Sequence, residues 1–290
     1  MLIHIKKSIA NAFTIINLLL GFISIVLISL SFMDSQNNIK IACMLIFIAA
    51  FIDAFDGKIA RKLGTSGDFG KEFDSLADLV SFCLAPSILI FSYSYDLLNL
   101  KLIYLIILSA FPLVCGAIRL AKFNAYKEHS NQSYYIGLPT PGNAIFICSS
   151  ILFMFNMDFI LYDSDLIAML NLINPNNQES LLIFNWMKYP FSLLYSSGDY
   201  ILIILCSFSS LLLISKINYS KFPILKFGLN FSNSINIIGI VIFFIILFIG
   251  AINKQSHIVM LFFISYYIVS GIIKTVIKKI SKSLGRKYES

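Results

Sequence analysis

The chain has 290 residues, of which 58% are hydrophobic and only 13% charged, with a mean hydropathy of +0.84 and a formal net charge of +7. A soluble domain carries roughly 25% charged and 45–50% apolar residues, so disorder, a collagen-like fibre and a soluble globular enzyme are poor fits. An all-α polytopic membrane protein fits instead, and there the surplus of Lys and Arg marks the cytoplasmic side of a bilayer rather than a nucleic-acid partner.

Taken in chain order, eight transmembrane helices are predicted, at roughly 12–33, 39–62, 72–95, 99–121, 142–162, 199–215, 233–252 and 256–277. Each, with its flanks, supplies the ~20 residues needed to cross the hydrocarbon core. Lys6 and Lys7 precede 26 uncharged residues, Ser8 to Met33, a run too long for the apolar part of a cleaved signal peptide and long enough to span. With the N-terminus inside, 18 of the 22 Lys and Arg fall on the inner side, and Lys40, Lys101, Lys188 and Lys254 fall outside. This bias places both termini in the cytoplasm. The longest outer segment, 163–198, holds a turn at Asn174-Pro175-Asn176-Asn177 and interfacial anchors at Trp186, Tyr189 and Tyr195. The basic tail, 278–290, reads as a topology signal that also attracts anionic lipid headgroups.

The isolated polar and small residues along these spans read more blandly. Cys43, Cys83, Cys115, Cys148 and Cys206 are at least 32 residues apart, form no metal or redox spacing, and are expected to pack as small buried hydrophobes. Pro86 and Pro112 are expected to shape their helices. Gly239, Gly250 and Gly271 are expected to permit close helix packing or a homodimer contact.

The acidic residues are unevenly placed. Six of the 15 lie between residues 53 and 78: Asp53, Asp56, Asp68, Glu72, Asp74 and Asp78. Asp53 and Asp56 are three apart at the end of the second span, and Asp74 and Asp78 are four apart at the start of the third, so each pair shares a helical face. The short turn Leu63-Gly64-Thr65-Ser66-Gly67 makes the two helices antiparallel and lets the pairs meet just inside the cytoplasmic boundary. A carboxylate at the centre of a membrane helix costs about 2.5–3.5 kcal/mol even on the mildest scale. Protonation or bound cations would relieve the repulsion, and hard divalent ions such as Mg²⁺ or Mn²⁺ take oxygen ligands together with substrate phosphates. Gly57, Ala60, Gly64, Gly67 and Gly70 leave room for a phosphate, and Arg61 can offset its charge. Spacing alone leaves three readings open: metal-dependent phosphoryl chemistry, a proton- or cation-coupled transporter, and a structural polar network.

Written out, the cluster is Asp53-x2-Asp56-Gly57-x2-Ala60-Arg61-x8-Gly70-x3-Asp74-x3-Asp78. This resembles the complete signature of the CDP-alcohol phosphatidyltransferases, with eight fixed positions over 26 residues. Within that family the chain is similar to the bacterial phosphatidylserine synthases. The likeness runs through Gly64 to Phe82 with Ala85-Pro86, Cys115 to Asn124, the turn Gly137-Leu138-Pro139-Thr140-Pro141, and the opening helix Asn11-x2-Thr14-x2-Asn17-x3-Gly21. Ser215, Tyr219 and Phe222 lie in a segment similar to a later cytoplasmic loop of these enzymes. Lys122 stands where Arg is more usual, Asn218 where a basic residue often occurs, and Ala10 where Pro is common.

The resemblance implies transfer of a phosphatidyl group from CDP-diacylglycerol to L-serine, with release of CMP, by a two-metal site using Mg²⁺ or Mn²⁺. It implies that Asp53, Asp56, Asp74 and Asp78 hold the metals, that Asp78 is also the general base, and that Gly57, Arg61 and Gly70 line the CDP-diacylglycerol site with Asn11 and Thr14 contributing. Serine is a zwitterion whose carboxylate needs a cation, for which Arg119 and Lys122 are candidates, with Asn124 a candidate for its amine. The catalytic core is expected over 8–142, followed by the remaining spans, 143–277. The expected setting is the cell's inner membrane, with the site on the cytoplasmic side. Another acceptor alcohol (glycerol phosphate, inositol phosphate or choline) and, from a different class, a cation-coupled transporter remain the alternatives.

Overall fold

The computed structural model describes residues 2–31, 36–63, 68–97, 101–125, 134–162, 200–220 and 256–285, with side chains described over 11–31, 37–54, 69–95, 101–125, 134–155, 200–220 and 256–281. Apolar runs become helices here because, without water, the backbone must bond to itself. The helices are α1 (Leu2–Ser31), α2 (Gln36–Leu63), α3 (Asp68–Asp78), α4 (Ala85–Leu97), α5 (Leu102–Ala125), α6 (Thr140–Tyr162), α7 (Tyr200–Leu211) and α8 (Ser256–Gly285). A π-helical segment, Leu79–Leu84, joins α3 to α4 without a break, so Phe69–Tyr95 forms one apolar span. Among the described residues five helices are long and apolar enough to cross a membrane, and Thr140–Phe155 and Tyr200–Leu211 are shorter apolar helices. The fold is therefore all-α and polytopic. The predicted seventh span, 233–252, and the outer segment 163–198 lie outside the described residues.

Two helix ends and a pair of short strands differ from the expectation. The sixth helix ends at Leu211 rather than 215, because the chain turns over residues 212–215 and enters a short strand, β2 (Asn218–Ser220). That strand pairs antiparallel with β1 (Tyr134–Ile136), with Tyr135 opposite Tyr219. Period-based reading of an apolar chain had given no strand there. The last helix does not stop at the expected membrane boundary, and runs through the Lys-rich segment to Gly285.

The core is built from Ile28, Ile46, Leu89, Ile90, Ile147 and Ile151, each at most 1% exposed, with Tyr93 edge-on to Phe155 at 5.2 Å. The large apolar side chains left exposed, such as Phe22, Met44, Ile107, Phe208 and Phe262, are those of lipid-facing helix surfaces. Pro112 lies buried inside α5 and cannot donate to Leu108 four residues back. Ser207 of α7 donates to that Leu108 carbonyl at 3.2 Å, and the next N–H, of Leu113, donates to Ser87 Oγ at 3.0 Å. The proline thereby ties α5 to both α7 and α4. The five cysteines are buried and free, as expected. Gly271 serves close packing within the chain: a Cβ there would lie 2.5 Å from the Tyr219 ring.

Candidate active site at the acidic end of the bundle

The second and third predicted spans do meet through their carboxylates. Asp53 on α2 and Asp74 and Asp78 on α3 each offer an oxygen, and these oxygens lie within 4.8 Å of one another. At that separation two carboxylates repel by about 3–4 kcal/mol in an effective dielectric near 20. Asp56, Gly57 and Arg61 lie on the last turns of α2, and their side chains fall outside the described residues.

Asp78 is fixed from three sides. Thr140 at the start of α6 donates through Oγ1 to Asp78 Oδ2 at 3.4 Å. Asn17 of α1, 1% exposed, lies beside it. Below it the chain widens into the π-helical segment, where the Ala85 N–H donates to Val80 five residues back. π-helical turns are frequent at functional sites. Here the widened turn is gripped on both sides by glycines. Ser81 Oγ donates to the Asn17 carbonyl at 2.8 Å, and a Cβ on Gly21 would be 2.7 Å from Ser81 Cα. On the opposite side a Cβ on Gly116 of α5 would collide with Cys83. These two contacts place α1 and α5 against the base of Asp78.

The donor set fits a hard divalent cation. It is all-oxygen, and among the described residues Asp78 Oδ1 is buried without a hydrogen-bond partner, as are both amide atoms of Asn17. Buried polar groups in folded chains are ordinarily paired, so an unpaired set beside three gathered carboxylates points to a bound group.

The other expected site residues divide. Asn11 reaches Gly70, where a Cβ would lie 3.9 Å from Asn11 Oδ1, so the first and third helices meet where the signature expects the nucleotide. Thr14 is buried on the same inward stripe of α1 as Asn17. Arg119 donates through Nη1 to the carbonyls of Ile136 (2.8 Å) and Leu213 (3.3 Å), which anchors it where β1 and the end of α7 converge. Lys122 is exposed on the last turn of α5. Asn124 is engaged by α3: its Nδ2 donates to Glu72 Oε2 at 2.9 Å, and Ser75 Oγ donates to its Oδ1 at 3.2 Å. Asn17 and Thr140 were written into sequence motifs but given no role. The signal for Asn17 was its three-residue spacing from Thr14 within an apolar helix.

A family model described as CDP-alcohol phosphatidyltransferase matches residues 7–187. The chain belongs to the CDP-alcohol phosphatidyltransferase family. Among curated proteins, a CDP-diacylglycerol–serine O-phosphatidyltransferase of Helicobacter pylori is 37% identical over 142 residues, covering 49% of this chain and 56% of that protein. The Bacillus subtilis protein of the same name is 44% identical over 105 residues, covering 36% and 56%. An archaetidylserine synthase of Methanothermobacter thermautotrophicus is 34% identical over 131 residues, covering 44% and 51%. The chain spans little more than half the length of the relatives it matches. As a member of this family with five long apolar helices, the chain is a multi-pass membrane protein, and its three gathered carboxylates can hold a metal.

Proposed function

We propose that the chain transfers the phosphatidyl group of CDP-diacylglycerol to L-serine, giving phosphatidylserine and CMP, with its site at the cytoplasmic face of the cell membrane. The observation that carries this is the meeting of Asp53, Asp74 and Asp78 at the junction of two apolar helices, in a chain whose relatives carry that name. The catalytic core is assigned to 8–142. Asp53, Asp56, Asp74 and Asp78 would hold two Mg²⁺ or Mn²⁺ ions, which when bound offset the charge on the phosphoryl oxygens.

Asp78 is assigned as the general base. Its carboxylate, held in place by Thr140, takes the proton of the serine hydroxyl as that oxygen attacks the phosphorus next to the diacylglycerol. The P–O bond to CMP then breaks, and CMP leaves. Gly57, Arg61 and Gly70, with Asn11 and Thr14, are assigned to the CDP moiety. Arg119 is assigned to the serine carboxylate, with Lys122 and Asn124 at the edge of the same site. A location at the membrane boundary suits the substrate, since the acyl chains stay in lipid while the cytidine and serine stay in water.

The test is a membrane assay with CDP-diacylglycerol and labelled serine, glycerol phosphate, inositol phosphate and choline, each with and without a chelator. Serine incorporation that disappears on chelation is the expected result. Incorporation of another alcohol instead overturns the acceptor.

A further inference from the structure

A second group of unsatisfied atoms lies one step from Asp78. Thr140, which donates to Asp78, sits with its methyl 4.0 Å from where a Cβ on Gly116 would be, and Arg119 follows Gly116 by three residues on the same face of α5. The backbone of Arg119 therefore stands about one helical turn, ~5.4 Å of rise, along α5 from the glycine that packs on Cys83 and Thr140. Its Nη1 is committed to two backbone carbonyls. Among the described residues Nε and Nη2 have no acceptor. These two nitrogens form the side-on fork that matches a carboxylate bidentately.

Tyr219 stands on β2 opposite Tyr135 of β1, one residue along from the Ile136 whose carbonyl Arg119 holds. Tyr219 is 0% exposed, and among the described residues its hydroxyl has no hydrogen-bond partner. Its neighbour Tyr267, 5.4 Å away ring to ring, donates its own hydroxyl to the Ser220 carbonyl at 2.9 Å, so the two phenols differ in kind. Burial pushes the Tyr219 phenol up to about 12, so it stays a donor at neutral pH. The surroundings are built to hold both groups still. Gly137 has φ +75°, and a Cβ there would be 2.8 Å from Arg119 Nη1; Gly271 makes room for the Tyr219 ring.

We infer that Arg119 and Tyr219 together form the seat for the acceptor's carboxylate, with the guanidinium fork on both oxygens and the Tyr219 hydroxyl donating to one of them. The hairpin of β1 and β2 then serves to bring a residue from beyond α7 to a site otherwise built from 8–142. This seat deepens the serine reading above and rests on it. A site with buried donors dedicated to one group discriminates strongly against acceptors that lack it.

The experiment uses the full chain in detergent or membranes with CDP-diacylglycerol and, in separate arms, L-serine, ethanolamine, which has no carboxylate, and glycerol phosphate. Tyr219→Phe removes only an unpartnered oxygen and keeps the ring against Gly271 and Tyr267. It is expected to raise the KM for serine about tenfold, as loss of a hydrogen bond to a charged group does, while kcat and the KM for CDP-diacylglycerol stay within about twofold. The serine-to-ethanolamine ratio of kcat/KM should fall by the same factor. Gly271→Ala, which displaces the ring, should shift the serine KM in the same direction. An unchanged serine KM in Tyr219→Phe overturns the seat, as does equal loss on both substrates or failure of that variant to fold. A Tyr219→Phe defect confined to glycerol phosphate would reassign the seat to a phosphate and overturn it for a carboxylate. Absence of serine incorporation by the wild-type chain would instead overturn the acceptor reading itself.

Discussion

Two buried asparagines show how differently the two parts of this bundle treat polarity. Asn143 of α6 is 0% exposed and fully engaged: its Oδ1 accepts from Ser209 at 2.8 Å, and its Nδ2 donates to Ser210 at 3.2 Å. Asn17 of α1 is as buried, and neither of its amide atoms has a partner. The pattern extends beyond the pair. Through the helix-packing region, hydroxyls find partners, on their own helix as Ser94 does with Ile90 at 2.6 Å and Ser149 with Ile145 at 2.6 Å, or on a neighbour as Ser207 does with Leu108. Asn17 and Asp78 Oδ1 at the acidic cluster, with the Tyr219 hydroxyl on β2, account for every buried unpaired side-chain atom among the described residues. Unpaired buried groups cost stability, so their concentration at one end marks where a ligand completes the structure.

The largest expected break in this contrast is Asp78→Asn. The amide keeps the shape but cannot take a proton, so turnover should fall on the order of 10³-fold. CDP-diacylglycerol should still raise the unfolding temperature of the variant in detergent, since binding to the folded state stabilises it. Turnover like that of the wild type would remove Asp78 from the mechanism. Next in size is Asn17→Leu. It deletes an amide that the protein itself does not satisfy, so stability should be equal or higher while turnover drops on the order of 10²-fold, the usual cost of a lost polar group at a reacting centre. Should the variant be less stable than wild type with its activity per folded molecule intact, Asn17 is a packing residue and the contrast fails at its centre.

The acidic cluster was legible in the sequence because helical spacing alone carries i, i+3 and i, i+4 carboxylates to one face, and a five-residue turn forces two such faces together. Asp53, Asp74 and Asp78 needed nothing more. The role of Asn124 was not legible. An amide near the end of α5 has the chemistry to meet an amine, and only the packing of α3 shows that Glu72 and Ser75 engage it. The β1–β2 hairpin was hidden for a related reason: three-residue strands carry too little periodicity to compete with the apolar runs around them. Tyr219 and Arg119 are 100 positions apart, and no local pattern predicts that the strand after α7 pairs with the strand whose Ile136 carbonyl Arg119 holds. The π-helical widening after Asp78 is likewise set by contacts, Gly21 with Ser81 and Gly116 with Cys83, that lie far apart in sequence.

The smallest expected effect sharpens the comparison from its satisfied side. In Asn143→Leu, Ser209 and Ser210 lose the amide but keep the Cys206 carbonyl, which they already reach at 2.8 and 3.0 Å. No hydroxyl is stranded, so the loss should approach a single interhelical polar contact in a membrane, about 0.6–1.7 kcal/mol. Reversible unfolding in mixed detergent measures that difference, and activity per folded molecule should stay within about twofold of wild type. The two Asn→Leu changes then act in opposite senses: one lowers stability and spares turnover, the other spares stability and lowers turnover. If Asn143→Leu abolished turnover while the protein stayed folded, the polar groups of α6 beyond Thr140 would have to be counted with the site. The boundary between the packing region and the reacting region would then move at least one helical turn along the bundle.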